Sequence, residues 1–178
     1  REVLPYLKKY FEIDLIIDKK YKPSSKFINE NFKVIPYDEF ENKYDLLIYH
    51  MGNNPFHEYM YKIALSHPGI VVLHDPFLHH LQVHMTVAQN DQSGYRKIME
   101  YCIGPKGKKI ADNALISYIW PHFEYPLIKK LVDSSTCVIV HSEFAKKIIL
   151  KETKKYLIKQ IKMPITTTLI SVNNDLKK

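Results

Sequence analysis

Glycine is scarce in this chain, with five residues in 178, and neither of the two glycine-rich phosphate fingerprints occurs. Those loops let backbone N–H groups close around a phosphate, so their absence argues against a complete dinucleotide-binding or P-loop protein. Arginine is scarcer still, confined to Arg1 and Arg96. Bidentate reading of bases and phosphates relies on the guanidinium fork, so sequence-specific nucleic-acid binding is disfavoured and no nucleic-acid partner is expected. The two cysteines, Cys102 and Cys137, follow no metal-ligand or redox spacing. Both read as free thiols in a reducing compartment, with Cys137 packed as a small hydrophobe. No apolar run approaches the ~20 residues that span a bilayer, and no signal-peptide pattern opens the chain. A cytoplasmic location is expected, with peripheral attachment to the inner face of a membrane and targeting signals upstream of Arg1 both left open.

What is present describes an ordinary globular chain, 46% hydrophobic and 25% charged, long enough for one well-buried domain. The net charge of +7 is nearly all lysine. It fits an anionic partner such as a nucleotide or a phospholipid surface, and equally a plain compositional bias.

Hydrophobic periodicity alternates between helix and strand. Residues 3–11 read as a helix, 13–17, 32–35 and 45–49 as strands, 56–66 as a helix, 70–73 as a strand and 77–88 as a helix. Residues 137–140 form another strand, 142–152 another helix, and 158–165 a final short strand before the polar, patternless 166–178. Runs such as Leu46-Leu47-Ile48 and Val71-Val72-Leu73 are apolar at every position, as expected when helices cover both faces of a parallel sheet. The expected fold is a Rossmann-like, doubly wound α/β domain over residues 1–165. Residues 89–133 carry no strand; 95–102, 108–116 and 124–132 read as a helical insertion broken at Gly104-Pro105 and Trp120-Pro121.

Open parallel sheets bind ligands outside the carboxyl ends of their strands. Three such places combine histidine with small or polar residues: His50 with Gly52, Asn53 and Asn54; His74 with Asp75; and His141 with Ser142. Asn54 before Pro55, and Ser142 before Glu143, also fit helix caps, and Gly52 fits a tight turn, so capping and ligand contact both stand. Asp75 has the same alternative before Pro76. His74, ending the most apolar strand, is the strongest candidate for a site role. The pairs His80/His84 and Asp75/His79 have the four-residue spacing of helical metal ligands, but there is no His-Glu-x-x-His and no third ligand, so no metal is expected. Lysines 146, 147, 151, 154 and 155 gather on and around one helix, as a solvated face or as a contact for an acidic membrane.

Residues Tyr44-Asp45-Leu46-Leu47-Ile48-Tyr49-His50-Met51-Gly52-Asn53-Asn54-Pro55-Phe56-His57, then His67-Pro68-Gly69-Ile70-Val71-Val72-Leu73-His74-Asp75 and Leu78-His79-His80-Leu81, resemble the N-terminal domain of family 4 (group 1) glycosyltransferases. Cys137-Val138-Ile139-Val140-His141-Ser142-Glu143-Phe144-Ala145 resembles, more loosely, the strand and helix before that family's interdomain linker. The resemblance implies the N-terminal half of a two-domain GT-B fold. There, this half chiefly binds the acceptor, and a C-terminal donor-binding domain holds the nucleotide-sugar. It further implies a cleft-facing histidine near the transferred sugar, His74, with Asp75 and the Gly52-Asn53-Asn54 loop lining the same cleft by location. A metal-independent, retaining transfer of a hexose to a glycan or lipid-linked acceptor would follow, with the nucleotide-sugar as substrate and no cofactor. The family's glycine-rich first loop is expected before Arg1 and its paired-glutamate donor motif after Lys178, so this chain alone is expected to be inactive. The alternative is a noncatalytic binding or assembly module.

Overall fold

The computed structural model describes residues 3–154 and 157–163. The fold is mixed α/β with every described strand pairing in parallel, consistent with a Rossmann-like arrangement. A short helix α1 (Leu4–Leu7) leads into β1 (Asp14–Ile17), α2 (Lys26–Asn31) and β2 (Lys33–Pro36), and β1 pairs with β2 as a two-stranded sheet. The second sheet has the order β3 (Ile48–Met51), β4 (Ile70–Leu73), β5 (Cys137–Val140) and β6 (Ile158–Gln160). Helix α3 (Glu58–Ser66) connects β3 to β4, and α8 (Glu143–Glu152) connects β5 to β6. Between β4 and β5 lie α4 (His79–Met85), α5 (Gln92–Ile103), α6 (Lys106–Ser117) and α7 (Lys129–Ser134). The helical insertion read from the sequence is therefore present. No helix among the described residues is long and apolar enough to cross a membrane.

The strands at 70–73 and 137–140 stand where periodicity put them. The strand expected at 45–49 lies three residues later, at Ile48–Met51, because pairing can begin only where β4 begins. The Ile70 N–H meets the Leu47 carbonyl at 2.9 Å, and Gly69 packs so close that a Cβ there would lie 2.4 Å from that same oxygen. The helix expected at 124–132 forms at Lys129–Ser134 instead. Pro126 removes a donor and Leu127 takes φ +53°, a left-handed conformation that no helix interior accommodates. Helix α2 escaped the periodicity because Lys-Phe-Ile-Asn-Glu-Asn holds only two apolar residues. The strand expected over 158–165 is observed as Ile158–Gln160; residues 164 and 165 and the tail 166–178 lie outside the described residues.

The main core forms on one face of the four-stranded sheet. Tyr49, Met51, Val71, Leu73, Val138 and Val140 meet Tyr61 and Ala64 of α3, Leu81 of α4, Leu131 and Val132 of α7, and Ala145 and Ile149 of α8. The other face is covered unevenly: Val72 is buried, Ile139 is half-buried and Ile48 is 47% exposed. The all-apolar run at 46–48 is thus mostly open, with Leu47 half-buried between exposed Leu46 and Ile48. Among the described strands β3 ends its sheet, and cover from both sides does not reach it.

Helices α5 and α6 build a second, smaller core from Tyr95, Ile98, Met99, Ala111, Ala114 and Leu127, with Trp120 edge-on to Tyr95 at 5.5 Å. His79, fully buried at the start of α4, fastens this core to the sheet. Its Nδ1–H donates to the Tyr125 carbonyl at 2.8 Å, since a carbonyl can only accept. Its Nε2 must then accept, from the Tyr95 hydroxyl at 2.8 Å. One neutral tautomer satisfies both bonds.

Two stability measurements follow from this packing. A Cβ on Gly107 would sit 2.2 Å from the Met99 carbonyl oxygen, so Gly107→Ala must push α6 away from α5. It is expected to cost about 1–3 kcal/mol, seen in thermal melts as a loss of roughly 3–10 °C, while Lys108→Ala on the exposed side leaves the melt unchanged. Burial holds the His79 imidazole down at about 4, below its ordinary 6.5. As pH falls between those values the unfolded chain takes the proton and the folded chain does not, so stability drops with acidification, by up to ~3 kcal/mol. Urea unfolding at about pH 7 and about pH 4.5 measures the drop. His57 and His122, also lowered chiefly by burial, add in the same direction, and His79→Gln should flatten the profile.

Candidate functional site

Parallel pairing brings the carboxyl ends of β3, β4 and β5 to one edge, and a row of imidazoles stands along it. Leu73 pairs with Val140, so the residues that follow, His74 and His141, leave the sheet side by side. His50 sits on β3 one position before Met51, which pairs with Leu73; its side chain therefore shares the face of His74. The rings of His50 and His74 stack at 5.3 Å with a 20° interplanar angle, and those of His74 and His141 stand at 5.0 Å. These distances match the ~4.8 Å spacing of neighbouring strands. The row is the sheet's own periodicity expressed in side chains.

Hydrogen bonds assign most of the ring protons. His57 Nδ1–H donates to the His50 carbonyl at 3.0 Å, and His141 Nδ1–H donates to the Ile161 carbonyl at 2.9 Å. His50 Nδ1 and His74 Nε2 face each other at 3.1 Å, so one of the two carries the hydrogen and the other accepts it. His141 Nε2 is enclosed and has no hydrogen-bond partner among the described residues. Burial of the nitrogens, first, and the charges that His74, His141 and His57 would carry, second, lower the pKa of His50. His74 is lowered for the same reasons, burial ahead of charges on His141 and His57. The outer edges of both rings reach solvent, but neighbouring imidazoles crowd the nitrogens, so an accessible ring still resists a proton. At neutral pH the His50–His74 pair is uncharged, able to donate to and accept from a ligand hydroxyl.

The polar residues around the row are engaged with backbone. Asn54 Oδ1 accepts from Phe56 N at 3.0 Å, Asp75 Oδ1 from Phe77 N at 2.9 Å, and Ser142 Oγ from Ala145 N at 3.1 Å. Asn53 Oδ1 accepts from Leu81 N at 3.0 Å and ties the β3 loop to α4. Asn54 and Ser142 therefore fill the capping role open to them, whereas Asp75 caps no helix, because α4 begins only at His79 and the Asp75 bond closes a turn ahead of it. Gly52 departs from expectation, since its backbone is not in the left-handed region that a turn glycine serves. The small residue is needed for space instead: a Cβ there would come within 3.1 Å of His57 Nε2.

An aromatic rim accompanies the histidines and was not read from the sequence. Each of these polar residues is followed two positions later by phenylalanine: Asn54-Pro55-Phe56, Asp75-Pro76-Phe77 and Ser142-Glu143-Phe144. Phe56 is 79% exposed and Phe144 62%, while Phe77 contacts both Phe123, 84% exposed, and Phe144. The repeated spacing of polar residue and phenylalanine is the signal that would have found it. His57 was also missed, because nothing in its spacing marks a helix-start residue that folds back toward the preceding strand.

The remaining histidines disperse. His79 is consumed in the buried clamp, His80 stacks on His122 at 4.0 Å, and His84 reaches Glu58 at 3.3 Å. The pairs with metal-ligand spacing thus diverge to different partners. Among the described residues no group of three or more His, Cys, Asp or Glu side chains is placed to hold a metal ion.

No family model, curated protein or solved structure matches this chain.

Proposed function

We propose that this chain is the acceptor-side half of a retaining glycosyltransferase, which moves a hexose from a nucleotide-sugar to a glycan or lipid-linked acceptor once a donor-binding domain completes the cleft. The carrying observation is the row His50–His74–His141 at the carboxyl edge of a parallel α/β sheet, where such sheets receive ligands. His74 stands at its centre, uncharged at neutral pH and in contact with an imidazole on each side. A neutral imidazole there hydrogen-bonds a sugar hydroxyl without introducing a charge that would repel a cationic, oxocarbenium-like centre. Asn53, Asn54, Asp75 and Ser142 hold the loops around it in shape through bonds to backbone N–H groups.

The test is transfer by the product of the complete reading frame, with the 178-residue chain assayed beside it. The chain alone should give no turnover of nucleotide-sugar. His74→Ala in the complete protein should lower kcat by roughly 10²-fold with an unchanged melting temperature, because the ring is accessible and supports no core. Wild-type kcat in His74→Ala would overturn the role of His74. A complete product without transfer to any glycan or lipid-linked acceptor would favour the noncatalytic module.

A further inference from the structure

Helix α8 leaves the histidine edge with one side against β5 and α7 and the other open to solvent. The buried side is Ala145 and Ile149, packed in the main core. The open side does not read as an ordinary solvated face. Phe144, Leu150 and, just beyond the helix, Leu157 are 62%, 51% and 49% exposed. Lys147 and Lys151, four residues apart on one stripe of α8, are exposed among them, as is Lys154, which follows the extended C-cap Thr153. Among the described residues these three lysines make no ion pair, whereas nearby Lys129 is bonded to Asp133. The carboxylates close by are Glu143 at the start of α8, Glu152 half-buried near its end, and Asp133, which is held by Lys129, Thr153 and Tyr101. The lower end of the stripe opens into a groove of about 840 Å³ between α7 and α8, bordered by Leu150, Lys151, Lys154 and Leu157.

We infer that this face of α8 is a peripheral contact for an anionic lipid bilayer, a property that does not depend on the glycosyltransferase reading. A helix lying in the interface buries apolar side chains among the acyl chains while lysines extend their stems to the phosphates, and alternating Leu/Phe and Lys on one stripe suits that geometry. The absence of arginine decides between a bilayer and an acidic or phosphorylated peptide. Discrete anionic groups are gripped by the bidentate guanidinium fork, and neither arginine of the chain lies on α8. Separated lysine charges match the smeared potential of a lipid surface.

Co-sedimentation of the 178-residue chain with phosphatidylcholine vesicles, with or without phosphatidylglycerol, tests the inference. Binding is expected on the phosphatidylglycerol vesicles, to weaken as salt is added, and to fall on the order of a hundredfold in a Lys147→Gln, Lys151→Gln, Lys154→Gln variant. Phe144→Ser with Leu150→Ser should lose at least about tenfold. Arginine at the same three lysine positions should keep vesicle binding, which separates lost charge from lost fold. A matched loss of charge on α6, with Lys106, Lys108 and Lys109 all changed to Gln, should leave binding within about threefold of wild type. The inference is overturned by a wild-type chain that ignores phosphatidylglycerol, by an α6 variant that falls as far as the α8 variant, or by serine variants that bind like wild type. Polyglutamate capturing the chain where vesicles do not would overturn it in favour of an acidic protein partner.

Discussion

Everything at the candidate site depends on the in-register parallel ladder Met51–Leu73–Val140. Pairing these three residues gives their strands a common direction and end point, so three loops leave the sheet together. The same ladder selects which side chains face the core. With Met51, Leu73 and Val140 turned into the apolar interior, His50 on one side of the register and His74 and His141 on the other fall on the opposite face. A slip of one residue in any strand would exchange a histidine for a core methionine, leucine or valine, at a cost the core could not absorb. The hydrophobic effect thus determines the imidazole row without acting on it directly.

Local backbone chemistry then divides labour among the polar residues at this edge. Helix starts leave N–H groups without partners, and Asn54 and Ser142 satisfy them with side-chain oxygens, while Asp75 does the same for the turn before α4. Imidazoles are poor caps and were left facing outward and toward one another. The groups this edge presents are therefore mainly rings, with the histidine row inside and the phenylalanines along the rim.

Much of this was legible in the sequence because it obeys short-range rules. The β4 and β5 strands announce themselves as apolar runs, and the caps by Asn-Pro and Ser-Glu at helix starts, whereas Asp-Pro marks only a turn. That His50, His74 and His141 would occupy one edge followed from parallel topology alone. Their stacking did not, since it needs the register, and the register of β3 turned on the close approach of Gly69 to the Leu47 carbonyl, a long-range contact with no local signature. Gly52 was misjudged for a similar reason. A turn glycine and one that makes room for a ring look alike in sequence, and only the position of His57 distinguishes them. The single buried imidazole of His79 was read among possible metal ligands, and its true partners, Tyr95 and Tyr125, lie 16 and 46 residues away.

The stacked row has a consequence for how the edge responds to its surroundings. Each imidazole makes a charge on its neighbour less favourable, with His141 and His57 acting on His74 and all three acting on His50. A proton on His74 therefore discourages one on His50. The close packing of the rings thus keeps His50 and His74 from building up positive charge together.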